Sequence, residues 1–148
     1  MKLKSPAFAH NTSIPKEYTC NGADLSPQLV WDDVPEHTKS FVLIMDDPDA
    51  PMGLWVHWVL FNIPSYCHEL QKASGTPLQA ISAKNSWGRT GYGGPCPPSG
   101  THRYFFKLYA LDILLNLDKN ATKTEVEHAM RDHILAQAEL IGTYGQSS

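Results

Sequence analysis

The sequence predicts a mostly β domain with one amphipathic helix near its C-terminus, and two observations carry that prediction. Residues 40–46, 55–63 and 104–111 are dense in aromatic and β-branched side chains and are bounded by Pro, Gly, Asn or Asp, the composition of strands held between turns. Residues 123–141 are the one stretch with a helical period: Val126, Ala129, Met130, His133, Ile134, Ala138 and Ile141 share a face. Thr122 and Glu125 stand at the spacing of a capping box before it, and Gly142 follows as a stop signal.

In chain order the shorter strand candidates are residues 7–8, 29–31 and 78–82, set apart by turn material such as Asn21-Gly22, Ser26-Pro27 and Ser74-Gly75-Thr76-Pro77. Without a composition shift, internal repeat or low-complexity tract, residues 1–148 read as a single domain. A chain of 148 residues buries roughly 68 to 70 % of its unfolded surface, enough for one hydrophobic core without a metal or disulfide staple. The hydrophobic fraction of 42 % and charged fraction of 18 % are those of a globular protein, and a net charge of −3 offers no general attraction to nucleic acid or anionic membranes. Residues 1–10 lack an apolar signal-peptide region, and no apolar run is long enough to span a membrane. The three cysteines are odd in number and widely spaced, which reads as unpaired thiols in a reducing cytoplasm.

Chemistry concentrates in two proline-stiffened loops. Asp46-Asp47-Pro48-Asp49-Ala50-Pro51 runs toward Trp55-Val56-His57-Trp58, and Tyr92-Gly93-Gly94-Pro95-Cys96-Pro97-Pro98-Ser99-Gly100-Thr101 delivers His102, Arg103 and Tyr104 into an apolar run. Proline fixes φ and glycine permits positive φ, so such loops have little freedom left to lose when a ligand binds. Alternation along a strand sets Trp55 and His57 on one face, and His102 and Tyr104 together with Arg103 turned away. Arg103 is therefore expected to tie the loops from behind, through a bidentate pair with Asp49 or Asp47. The sequence by itself does not bring the two loops together.

These two stretches closely resemble the signature regions of the phosphatidylethanolamine-binding protein family, in its bacterial and archaeal branch. The resemblance extends to Cys20-Asn21-Gly22-Ala23-Asp24-Leu25-Ser26-Pro27, Trp31, Val34-Pro35 and the ending at residues 138–145, nearly the whole chain. It implies a large antiparallel sheet packed on a smaller one, with a pocket at one end for phosphate, phosphoryl head groups or carboxylates. Carried over by position, Asp47, His57, His102 and Tyr104 line the pocket, Pro97 and Pro98 form wall and backbone, and Asp49 and Arg103 support it. Cys96 stands near where eukaryotic relatives have glycine, and the loop before His102 is shorter than theirs.

Imidazoles, a phenol and loop amides donate to an anion, while Asp47 either holds a histidine doubly protonated or accepts from a donor on the ligand. The reading is a non-enzymatic, cytoplasmic anion-binding protein without cofactor or catalytic residues, whose occupancy regulates a protein partner. The alternatives are a hydrolase of phosphate or carboxylic esters with a pocket histidine as base, and, by family analogy alone, an inhibitor of kinases or proteases. Against an enzyme stands the lack of a G-x-S-x-G, G-x-x-x-x-G-K or H-E-x-x-H motif. Asp47, His57 and His102 also compose a metal triad, but their spacing lends it no support. Cys96 with His102 as base lacks an orienting third group. Asp46 reads as a turn former, and Trp31, Trp55, Trp58 and Trp87 as core and pocket wall. No basic amphipathic helix argues for membrane insertion. The resemblance allows a homodimer, although no exposed apolar face is identifiable.

Overall fold

The structure is a computed structural model, and it describes residues 1–77 and 79–145. Its strands are β1 (Lys2–Lys4), β2 (Thr12–Ser13), β3 (Leu29–Asp32), β4 (Ser40–Asp47), β5 (Trp55–Pro64), β6 (Glu69–Leu70), β7 (Ile81–Ser82), β8 (Thr101–Leu111) and β9 (Ile134–Gly145), with a helix, α1, at Lys123–Met130. A large sheet in the order β2-β9-β8-β4-β5-β7 packs on a small one in the order β1-β3-β6. Pairing is antiparallel throughout, except that β2 lies parallel to the edge of β9.

The three long strand predictions are present, each extended at one end. Strand β4 is buried at every position, because it lies centrally between β5 and β8 and both sheet faces are covered. Phe41, Leu43 and Met45 point into the core shared with Leu3, Phe8, Trp31 and Phe106. The alternate side chains Val42 and Ile44 pack with Val59, Phe61, Val126 and Met130, so α1 covers the opposite face. An extra residue on β5 between Leu60 and Ile63 is accommodated by Asn62 at a φ of 57°, and its amide is clamped to Leu115 through Nδ2 at 2.9 Å and Oδ1 at 2.8 Å.

Several expectations are corrected. The helix predicted over 123–141 stops at Met130, where Arg131 leaves helical geometry and Asp132 takes a φ of 70°, and residues from Ile134 onward pair with β8. The capping box of Thr122 and Glu125 is present, and Val126 and Met130 are buried as the period requires. Beyond them Ala136, Ala138 and Leu140 also satisfy a period of two, and the otherwise unpaired edge of β8 outweighs the helical propensity of Ala, Gln and Glu. Gly142 is accordingly not a helix stop. It lies in β9, where a Cβ would come within 2.5 Å of Ile14. Residues 7–8 form no strand, although Phe8 is in the core against Phe106 at a centroid separation of 5.8 Å. Of the strand expected at 78–82, Ile81–Ser82 is present as β7 and Leu78 lies outside the described residues.

The unpaired-cysteine expectation also fails: Cys20 and Cys96, 76 residues apart, are joined in a disulfide, leaving Cys67 as the free thiol. This removes the ground on which the sequence placed the chain in a reducing cytoplasm. Among the described residues no helix is long and apolar enough to cross a membrane.

Candidate functional site

Antiparallel order explains how distant residues meet. The C-terminal end of β4 lies between the N-terminal ends of β5 and β8, with Asp47 opposite Trp55 and Asp46 opposite Phe105. Asp47, His57, His102 and Tyr104 therefore gather at one end of the large sheet, where they line a cavity of about 330 Å³ together with Pro97 and Pro98. That volume suits a small ligand. A larger depression of about 550 Å³ beside β1 and β9 lacks these histidines and presents Lys2, Lys4, His10 and Glu139 as its ionisable groups. The chemistry, not the volume, marks the smaller cavity as the candidate site.

All four polar side chains are buried, with His57 only 3 % and His102 only 7 % exposed, and each histidine has one nitrogen committed to the protein. His57 Nδ1 lies 2.6 Å from the carbonyl oxygen of Gly93, which can only accept, so Nδ1 carries the proton and Nε2 is left for other partners. His102 Nδ1 lies 2.7 Å from Asp47 Oδ2, while Asp47 Oδ1 accepts the Asp49 amide at 2.7 Å, so both carboxylate oxygens are engaged. Tyr104 sits between the imidazoles, edge-on to His57 at 5.2 Å and stacked on His102 at 6.4 Å.

Burial shifts these groups toward neutrality. It lowers the His57 pKa below its ordinary value, against the opposing pull of the Gly93 carbonyl and the Asp47 charge. It raises the Tyr104 phenol well above its ordinary value, and the Asp47 charge adds to the effect. Tyr104 is therefore a hydroxyl donor throughout the physiological range.

Asp49 and Arg103 stand outside the cavity. The guanidinium meets the carboxylate through Nε and Nη2, each at 2.9 Å, and the Arg103 amide donates to the same carboxylate at 2.9 Å. The Arg103 hydrogen bonds hold the Asp49 carboxyl down at about 2. The pair joins the 47–54 loop to the start of β8.

Residues beyond the expected ligand set also shape the site. Trp87 lines the cavity and stands edge-on to His57 at 5.1 Å and to Trp55 at 5.5 Å. Gly93 passes so close to Trp87 that a Cβ would fall within 2.2 Å of the ring, which fixes glycine there. Asp24 Oδ1 accepts the Gly94 amide at 2.9 Å, and Cys96, tied to Cys20, forms part of the wall. The double-glycine sequence was the available sign of close backbone approach; the identity of what approached was not legible. Of the tryptophans, Trp55 and Trp87 line the cavity, whereas Trp31 and Trp58 lie in the core. Among the described residues no cluster of three His, Cys, Asp or Glu side chains is arranged to hold a metal ion.

The family model for phosphatidylethanolamine-binding protein matches residues 4–145. The chain belongs to the phosphatidylethanolamine-binding protein family. A UPF0098 protein of Methanothermobacter thermautotrophicus is 50 % identical over 148 residues, covering 97 % of this chain and 98 % of that protein. Another UPF0098 protein, from Aquifex aeolicus, is 51 % identical over 150 residues, covering 97 % and 88 %. Among solved structures, a phosphatidylethanolamine-binding protein homolog from Chlamydia trachomatis superimposes with a TM-score of 0.94 at 42 % identity, over 99 % of this chain and 97 % of that one. YbcL from E. coli, described as a member of the mammalian family, gives a TM-score of 0.93 at 32 % identity, over 99 % and 98 %. The two-sheet architecture described above is thus the architecture of the family, built on bacterial and archaeal sequence relatives.

Proposed function

We propose that this chain is a non-enzymatic binding protein for a small anionic group, a phosphate, phosphoryl head group or carboxylate, and that pocket occupancy regulates a protein partner. One observation carries the reading: two buried imidazoles in one small cavity each spend Nδ1 on the protein, and Tyr104 places a permanently protonated phenol between them. Protonated at Nε2, each ring becomes a charged donor toward the same volume. Asp47, fully engaged by His102 and the Asp49 amide, orients the second imidazole and offers the ligand no loose carboxylate.

A second reading, hydrolysis of phosphate or carboxylic esters, is favoured by the Asp47–His102 pair, which has the form of an oriented general base. It lacks a nucleophile: Cys96 is locked in a disulfide, and burial keeps the Tyr104 phenol protonated, so water would have to attack. Inhibition of a kinase or protease rests on family analogy alone and is the least supported form of the regulatory role.

The test is titration with inorganic phosphate, acetate and phosphorylethanolamine while following the histidine ring resonances, alongside His57→Ala and His102→Ala variants. Saturable shifts of both rings, lost in the variants, support the reading. Unmoved rings for all three anions reject it, and turnover of a chromogenic ester that vanishes in His102→Ala replaces it with the hydrolase.

A further inference from the structure

The disulfide is placed where a change in it reaches the pocket. Cys20 and Cys96 are both exposed, and the bond joins the 18–25 segment to the loop that precedes β8. Exposed disulfides are open to attack by a thiolate, in contrast to those sealed in a core. On the pocket side, Cys96 lines the cavity and is followed directly by the wall residues Pro97 and Pro98. The Cys96 amide meets the Tyr104 hydroxyl, and Thr101 begins the pairing of β8 with β9.

The same loop positions His57. Its Gly93 carbonyl accepts from His57 Nδ1 at 2.6 Å, and its Gly93 amide donates to the His57 carbonyl at 3.1 Å. Upstream of the disulfide the loop is held by noncovalent ties to the 18–25 segment: Tyr92 hydroxyl to Tyr18 carbonyl at 2.6 Å, Gly94 amide to Asp24 at 2.9 Å, and Cys20 amide to Pro95 carbonyl at 3.1 Å. These ties hold residues 92–95, and the Cys96 amide is held by the Tyr104 hydroxyl; beyond them the disulfide is the covalent anchor of the wall. Opening the disulfide thus leaves the scaffold in place and removes the covalent anchor of the wall segment that faces the ligand.

We propose that Cys20–Cys96 is a reversible modification site at which a dithiol reductant opens the bond, loosens the 96–100 segment and lowers the affinity of the pocket. The reductant's thiolate attacks one protein sulfur and forms a mixed disulfide, expelling the other as a thiolate that takes up a proton. The reductant's second thiol then displaces the remaining protein sulfur. Two electrons and two protons pass to the protein, and the reductant closes its own disulfide. In a reducing compartment the bond opens and in an oxidising one it closes, so ligand affinity reports the surrounding thiol poise. The affinity part of this proposal rests on the anion-binding reading; the coupling of the disulfide to His57 does not.

The experiment uses the full chain with Cys67→Ser, so that only the two disulfide cysteines remain. The protein is equilibrated with oxidised or reduced dithiothreitol, free thiols are counted by alkylation and mass spectrometry, the fold is followed by circular dichroism, and the His57 ring resonances are recorded before and during phosphate titration. The expected result is two alkylated thiols in a folded chain, a displaced His57 resonance, phosphate affinity at least tenfold weaker, and recovery of all three on reoxidation. Resistance of the bond to dithiol in the folded state overturns the proposal, as does global unfolding on reduction, which would make the bond a structural staple. A reduced, folded chain with an unmoved His57 resonance, or with unchanged phosphate affinity, overturns it too. If neither form binds phosphate while His57 still shifts on reduction, the anion-binding reading fails and the coupling of bond to pocket stands.

Discussion

The neutral state of His57 makes anion binding a proton-uptake reaction. In the free protein Nδ1 donates to Gly93 and burial keeps the ring pKa below its ordinary value, so above about pH 6.5 Nε2 is a bare lone pair. A bound carboxylate needs a donor there and therefore draws a proton onto the ring. The sign follows directly: the anion raises a pKa that burial had lowered, so affinity grows as pH falls and stops growing only below the depressed value. Uptake of one proton changes the binding constant about tenfold per pH unit, about 1.4 kcal/mol. Acetate is the suitable probe because its own charge is constant in the range from about pH 6 to about pH 8, over which its affinity should fall as pH rises, by up to about tenfold per unit. Calorimetry in buffers of different ionisation enthalpy counts the protons directly, and His57→Ala should flatten the profile. An acetate affinity independent of pH across that range, or an unchanged slope in His57→Ala, refutes the argument.

Asp47→Ala removes the partner of both the His102 ring and the Asp49 amide; leaving the buried ring unpaired costs about 1 to 3 kcal/mol, readable in urea denaturation, and weakens phosphate binding further. Arg103→Ala breaks a solvent-exposed pair and should shift the denaturation midpoint only slightly. The Asp49 pKa returns from about 2 toward its ordinary value in that variant, so the stability this carboxylate contributes, present above about pH 4 and lost as pH falls toward about 2 in the parent, disappears. Replacing both Cys20 and Cys96 by serine opens a loop of 76 residues, for which the chain-entropy relation gives about 4.5 kcal/mol; a denaturation midpoint unchanged from the parent would show that the bond is not closed in solution.

The strands around the site were legible because their side chains meet strong, local demands. The stretch 40–46 is apolar on both faces, as a central strand must be, and the alternation at 102–104 separated the buried His102 and Tyr104 from the exposed Arg103. The capping box at Thr122 and Glu125 likewise declared where α1 starts. Where α1 stops was not legible, since Ile134, Ala138 and Ile141 fit a helical period while Ala136, Ala138 and Leu140 fit a strand. Only the free edge of β8 distinguishes the two. Cysteine pairing was opaque for a related reason, because a partner 76 residues away is chosen by which loops meet and not by spacing.

By itself, then, the sequence determined a β-rich single chain, the identity of the two stiffened loops and the face on which each of their polar side chains lies. These are properties of residues and their immediate neighbours, set by φ restriction, alternation and hydrophobic pattern. Only the tertiary structure decided that the loops share one cavity, that His102 pairs with Asp47 while His57 donates to Gly93, and that Trp87 and the Cys20–Cys96 bond complete the walls. The meeting of Asp47, His57 and His102 depends on the strand order β8-β4-β5, which places Asp47 and His102, 55 positions apart, at one end of a sheet. Strand order is settled by the packing of the whole core, and no local window of sequence contains it.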